Sequence, residues 1–113
     1  MTISYDDFHK VEMHVGTITA VEDFPEARKS AYKLTIDFGE TIGIKRSSAQ
    51  ITVLYTKEDL VGRQIIAVTN FPKKQIGKFF SEVLVLGSVD VDGAGVVTLL
   101  QPQQSVENGL RIS

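Results

Sequence analysis

The sequence YKLTIDFG at residues 32–39 alternates apolar and polar side chains one residue at a time. A period of two places the apolar side chains of a strand on one face, so this stretch predicts a half-buried β-strand. Before it, residues 13–22 are rich in Val, Ile and Thr and predict one long strand, with Gly16 at a bend or bulge. After a tight return at residues 39–41, residues 42–47 predict a third strand.

A short helix is predicted at residues 56–60. Thr56 can cap its N-terminus, Asp59 occupies the capping-box position, and Gly62 can end it. Downstream, three apolar stretches predict further strands at residues 64–69, 82–86 and 96–100, with a turn at residues 90–95 before the last.

Strands with a helix between the third and the fourth favour a small closed barrel, which leaves no unpaired sheet edge. We therefore predict an all-β protein, an OB-fold barrel of five strands with one short helix. A β-sandwich is the alternative architecture. The length of 113 residues matches one domain, so we expect residues 1–113 to form a single domain.

Composition excludes several kinds of chemistry. The chain has no cysteine, which rules out disulfides, thiolate catalysis and cysteine zinc sites. Its two histidines, His9 and His14, have no HExxH pattern or acid cluster beside them, and neither a phosphate-binding P-loop nor a GxSxG motif occurs. We therefore expect a protein that is not an enzyme and that holds neither a metal nor a cofactor.

The N-terminus offers no targeting signal. The opening MTISYDD is polar and acidic, unlike a signal peptide, and no apolar run approaches the ~18 residues that a membrane span needs. We expect a cytoplasmic protein without membrane insertion.

Charge is distributed unevenly along the chain. The net charge is −2, yet residues 28–78 carry ten bases and four acids, while the flanking segments are acidic. An acidic protein with a basic middle can still present one positive face to phosphate. Solvation of loops by nearby charges is the plainer explanation.

Bases and aromatics interleave in residues 70–82, NFPKKQIGKFFSE. Lysines can neutralise phosphates while aromatic faces stack on unpaired bases, and amides or hydroxyls can read base edges. Alternatively, this stretch is a solvated hairpin loop whose Phe79 and Phe80 pack into the core, and we expect this of one of the two.

Several strings resemble a known family, the tRNA-binding domain of bacterial methionyl-tRNA synthetase C-termini and free-standing tRNA-binding proteins. They are residues 8–18, 24–29, 68–72 and 81–86. Residues 32–39 and 43–52 are closer to one branch, the CsaA-type chaperones related to protein export. The resemblance runs from about Phe8 to Arg111.

This resemblance implies an OB-fold and a homodimer, built from the terminal segments at residues 5–8 and 96–112. It also implies non-catalytic binding of tRNA or, alternatively, chaperone binding of unfolded or pre-secretory polypeptides in cooperation with export machinery. By matching position, the expected tRNA-binding residues are Lys45, Arg46, Asn70, Lys73, Lys74, Gln75, Lys78 and Ser81. For polypeptide binding the expected residues are Phe71, Phe79 and Phe80.

The sequence departs from the family pattern in two places, at residue 14 and at residues 73–74. His14 stands where the family usually has Arg, and a neutral imidazole attracts phosphate less than a guanidinium does. Lys73 and Lys74 stand where the family usually has Pro and Arg, which keeps charge but loses the bidentate fork.

Overall fold

The computed structural model describes residues 1–91 and 95–113, so part of the predicted turn at residues 90–95 lies outside the described residues. Helices and strands follow one another as α1 (Tyr5–His9), β1 (Met13–Asp23), β2 (Tyr32–Asp37), α2 (Gly39–Ile42), β3 (Ile44–Ala49), α3 (Lys57–Leu60), β4 (Gln64–Val68), β5 (Lys74–Ile76), β6 (Phe79–Ser81), β7 (Leu84–Val85), β8 (Gly87–Val89) and β9 (Val97–Leu99).

The main sheet is antiparallel, with the strand order β3-β2-β1-β4-β7. It curls until β3 and β7 approach each other, which makes a nearly closed barrel of five strands. The predicted all-β, OB-type barrel is therefore confirmed. Two small hairpins, β5–β6 and β8–β9, extend from it.

Residues at the seam join β3 to the segment before β7 without a regular strand ladder. The hydroxyl of Ser47, which is fully buried, donates to the carbonyl of Val83 at 3.0 Å. The Glu82 amide donates to the carbonyl of Arg46 at 2.8 Å, and the Arg46 amide donates to Glu82 Oε1 at 3.0 Å. Side chains therefore take part in the hydrogen bonds that close this seam.

Strand β1 is long enough to pair with β4 through its first half and with β2 through its second. Its irregularity lies between Ile18 and Ala20, close to but not at Gly16, where we predicted it. Gly16 serves close packing instead, because a Cβ there would lie 2.7 Å from Ile36 and Phe38. The strand can therefore bend over the core without a side chain at its tightest point.

The barrel interior is filled by the apolar positions of the alternating pattern. Leu34, Ile36 and Phe38 are almost completely buried, as is Leu60 of α3, which packs into the same cluster. The capping box predicted for this helix is confirmed, since the Thr56 hydroxyl accepts from the Asp59 amide and the Asp59 carboxylate accepts from the Thr56 amide, each at 3.1 Å.

Several elements were not predicted. A second capping box, between Ser4 and Asp7, starts α1. Helix α2 occupies the expected tight return, and the predicted loop at residues 70–82 contains the β5–β6 hairpin. Among the described residues, no helix has the length and apolar character of a membrane span.

The C-terminal segment lies along the first part of β1. The Val15 amide donates to the carbonyl of Leu110 at 3.0 Å, and the Ile112 amide donates to the carbonyl of Met13 at 2.9 Å. This segment was predicted to take part in a dimer interface. In the protomer, residues 109–112 pair with their own barrel.

Candidate nucleic-acid interface

The basic, aromatic stretch of the sequence forms a hairpin beside the barrel seam. Strands β5 and β6 pair with Lys74 opposite Ser81, Gln75 opposite Phe80 and Ile76 opposite Phe79. Gly77 has a φ of 61°, which suits a tight hairpin turn. Alternation along these strands sends neighbouring side chains to opposite faces.

The two adjacent phenylalanines of β6 have different environments. Phe79 is 9% exposed and packs edge-on against Phe24, with ring centroids 5.2 Å apart. Phe80 is 48% exposed. The expectation that one of the two packs into the interior is therefore confirmed, and Phe80 is the one that offers an accessible ring.

Arg46 lies above the buried ring. Its guanidinium carbon is 4.9 Å from the Phe79 centroid, and its Nη2 donates to Glu22 Oε2 at 2.7 Å. Lys33 approaches the same aromatic pair, with Nζ 5.3 Å from the Phe24 centroid. Cation–π contacts hold both cations near the base of the hairpin, and most guanidinium donors remain available to a ligand.

Glu82 connects β3 to the basic residues of the hairpin. One carboxylate oxygen accepts from the Arg46 amide, while Oε2 lies 3.6 Å from Lys73 Nζ. The Glu82 side chain is 20% exposed, whereas the Lys73 side chain is 65% exposed. The carboxylate is therefore fixed from one side, and the lysine has freedom to turn toward a ligand.

These side chains surround a cavity of about 360 Å³, called the basic cavity below. It is lined by Arg46, Lys73, Lys78, Phe79, Phe80 and Glu82. Three cations face one carboxylate there, so the surroundings favour an anionic ligand, and Phe80 adds an aromatic wall.

A second, larger cavity of about 620 Å³ shares Glu82 with the basic cavity and is called the apolar groove below. Phe71, Leu84, Val85 and Val97 contribute apolar surface to it. Lys74 also lines this groove, so the adjacent lysines Lys73 and Lys74 serve different cavities.

The remaining predicted residues are placed less directly. Ser81 lines the apolar groove, and its hydroxyl accepts from the Ser48 amide at 3.0 Å. Lys45, Asn70 and Gln75 line neither cavity.

Asn70 ties the base of the hairpin to the N-terminal segment. Its Oδ1 accepts from the Glu12 amide at 3.0 Å, and its Nδ2 donates to the carbonyl of Lys10 at 2.7 Å. Both ends of the amide are therefore engaged within the protein, and the expected contact of Asn70 with tRNA stays a prediction.

His14 is partly buried on β1 and lies outside both cavities. Its Nδ1 is 2.9 Å from the hydroxyl of Thr69. Burial lowers the pKa of His14, while Glu12 opposes this shift and Arg111 adds to it. Across residues 1–91 and 95–113, no group of three or more His, Asp or Glu residues could hold a metal ion.

Sequence reasoning missed the acidic residues of this interface, Glu22 and Glu82. Glu82 belongs to the Ser81–Leu86 string that carried the resemblance, so its position was noticed but its role was not. Glu22 gave no signal, since its contact with Arg46 joins the far ends of β1 and β3.

Comparison with known proteins identifies this architecture. Residues 13–111 match the family model described as "Putative tRNA binding domain". The structure of chaperone CsaA from Bacillus anthracis str. Ames superposes with a TM-score of 0.93 and 51% identity, covering 100% of both chains. The chain belongs to the tRNA-binding domain family, in its CsaA group.

Other proteins resemble this chain in structure or in sequence. The CsaA chaperone protein of Picrophilus torridus is 54% identical, with a TM-score of 0.90 over 99% of this chain and 100% of that chain. The methionine–tRNA ligase 1 of Sorangium cellulosum is 37% identical over 109 residues, which is 95% of this chain and 15% of the ligase. The chain spans about one seventh of the length of the ligases it matches, between 13% and 16%.

Proposed function

We propose that this protein binds tRNA without catalysis and that residues 1–113 act as one binding domain in the cytoplasm, where tRNA is found. The observation that carries the proposal is the basic cavity, in which three cations flank the exposed ring of Phe80. Membership of a tRNA-binding domain family supports the same ligand.

Phosphate contacts supply the affinity in this proposal. Lys73 and Lys78 reach the tRNA backbone from the hairpin, and Arg46 adds a guanidinium that packs on the Phe79 ring. Such contacts release counterions and depend on salt but carry no sequence information. Further contributions are proposed from Lys45, Lys74, Gln75 and Ser81, with Asn70 fixing the hairpin.

A salt series tests this proposal. Binding of bulk deacylated tRNA is measured by fluorescence anisotropy for the wild type and for the Lys73→Gln/Lys78→Gln variant. Each lost phosphate contact removes roughly 0.7–0.9 from the slope of log K against log salt, so the variant slope should fall by about 1.4–1.8.

A matched control removes the same amount of charge elsewhere. Lys10→Gln/Lys57→Gln takes away two cations that pair with Asp7 and Asp23 and that line neither cavity. The control should keep the wild-type slope. Equal slopes for all three proteins would contradict the proposed site, and wild-type binding that ignores salt would contradict phosphate binding altogether.

A homodimer is part of the proposal. Exposed apolar side chains near the N-terminus, Ile3 and Tyr5, and at the β8 end, Val89 and Val91, are available for a second copy. Closed two-fold symmetry would bury both sets without leaving an open edge. Light scattering measures the mass in solution, and a monomer at micromolar concentration would contradict this part.

Binding of unfolded or pre-secretory polypeptide, in cooperation with export machinery, is the second candidate function. The apolar groove favours it, because an exposed apolar concavity of this size suits extended chain segments. Two solved relatives named chaperone CsaA support it as well. Of the three expected residues, Phe71 lines this groove, whereas Phe79 and Phe80 line the basic cavity.

A further inference from the structure

A carboxylate inside a cation-lined cavity requires an explanation if the ligand is only phosphate. Glu82 lines the basic cavity among Arg46, Lys73 and Lys78. A negative charge there weakens attraction for every phosphate nearby. Its role in the fold needs only Oε1, which accepts from the Arg46 amide at 3.0 Å.

The second carboxylate oxygen of Glu82 is poorly engaged. Oε2 lies 3.6 Å from Lys73 Nζ, which is too long for a good hydrogen bond. The lysine side chain is mostly exposed, so it can turn away and leave Oε2 facing the cavity. The protein therefore presents a hydrogen-bond acceptor of fixed orientation beside cations that would bind the phosphates of an RNA backbone.

The other walls suit one nucleotide. Phe80 offers a ring that is 48% exposed, and a base can stack on it. Lys73 and Lys78 can hold the adjoining phosphates. A cavity of about 360 Å³ has room for one unpaired nucleotide but not for several stacked nucleotides.

We propose that the basic cavity binds one unpaired nucleotide of the tRNA and that Glu82 selects a base carrying an exocyclic amino group. The inference rests on the proposed tRNA-binding function. A carboxylate accepts from the N4 amino group of cytosine, whereas uracil presents a carbonyl oxygen at the same position and is repelled. Stacking on Phe80 holds the base in the cavity, and Glu82 discriminates.

Cytidine and uridine oligoribonucleotides test this selection, because the two bases have the same size and differ at position 4. Fluorescently labelled single strands of each are titrated with wild type and with Glu82→Gln at constant salt. The wild type should prefer cytidine by about tenfold, as expected for one hydrogen bond to a charged group. Glutamine can still accept from the Arg46 amide, which leaves its amino group facing the cavity. That group donates to the uracil carbonyl and has no acceptor on the cytosine amino group, so the preference should reverse toward uridine.

Stacking is tested by a pair of phenylalanine variants. Phe80→Ala should weaken the binding of both oligoribonucleotides by about tenfold, since any base can stack on an aromatic ring. The ratio of the two affinities should not change. Phe71→Ala is the matched control, because Phe71 is 53% exposed but lines the apolar groove. Its affinities should match the wild type.

The outcomes separate this inference from the proposed function. Salt-dependent tRNA binding with equal affinity for cytidine and uridine would overturn the inference and leave the proposed function standing. A preference that survives in Glu82→Gln would overturn the role of the carboxylate. Loss of salt-dependent tRNA binding in the wild type would overturn both.

Discussion

The basic cavity and the apolar groove share one hairpin but have opposite chemistry. Glu82 borders both. On one side lie Lys73 and Phe80, and on the other Lys74 and Phe71. Lys73 and Lys74 are therefore neighbours in sequence but line different cavities.

This division suggests how one small domain could serve two ligands. Charged ligands and apolar ligands need surroundings that exclude each other, since an uncompensated charge in an apolar groove is costly. Two cavities with different lining residues can each be altered alone. The predictions below test whether the two cavities are independent.

The largest expected effect is on polypeptide binding. Leu84 is 49% exposed and lines the apolar groove, so Leu84→Asp places a charge on the proposed polypeptide surface without disturbing the core. We expect the variant to lose suppression of aggregation of an unfolded client, measured by light scattering. Binding of tRNA should be unchanged.

Leu54→Asp is the matched control, since Leu54 is 50% exposed and does not line the groove. It should suppress aggregation as well as the wild type does. Equal loss in both variants would indicate a general effect of added charge. Loss of tRNA binding in Leu84→Asp would contradict the independence of the two cavities.

A smaller effect is expected at Asn70, which supports the hairpin that separates the cavities. Asn70→Ala removes hydrogen bonds to Lys10 and Glu12, so the free energy of unfolding should fall by about 1–2 kcal/mol. Urea unfolding measures this change. The affinity for tRNA should stay near the wild-type value under conditions in which the variant is fully folded.

Gln75→Ala is the control for this variant. Its amide donates to the carbonyl of Gly77 within the same hairpin, so little stability should be lost. An Asn70→Ala variant with normal stability but weakened tRNA binding would instead make Asn70 a contact to tRNA.

The barrel could be predicted because its determinants are local. The alternation of Leu34, Ile36 and Phe38 specifies a strand face, and the Thr56 capping box specifies a helix start from four consecutive residues. The bulge of β1 was misplaced because Gly16 is explained by packing against β2, which a single strand does not reveal.

The arrangement of the interface could not be predicted to the same degree. Composition marked residues 70–82 as a binding segment, and one of its two phenylalanines was expected inside. The partition of Lys73 from Lys74 is seen only in the folded cavities, and the contacts of Arg46 with Glu22 and Glu82 join segments 24 and 36 residues apart. Such long-range contacts leave no periodic trace in the sequence.

The smallest effect is expected from His14, which lies outside both cavities and should therefore influence stability but not binding. Burial lowers its pKa in the folded protein, with Glu12 opposing the shift and Arg111 adding to it. The unfolded chain keeps a value near 6.5, so it binds more protons than the folded protein between the two pKa values. The stability linked to neutral His14 is therefore fully present above pH 6.5, and it falls as the pH drops toward the pKa of His14 in the folded protein.

His14→Gln keeps a polar side chain beside Thr69 but cannot titrate, so its stability should depend less on pH through this window. Urea unfolding at several pH values compares the two slopes, and their difference isolates His14 from the other titrating groups. Parallel slopes would contradict desolvation of the imidazole. The ratio of the tRNA affinity of the wild type to that of His14→Gln should stay constant over the same pH range, because His14 stabilises the barrel without facing the ligand. A ratio that shifts on acidification would extend the tRNA-binding surface from the hairpin to β1.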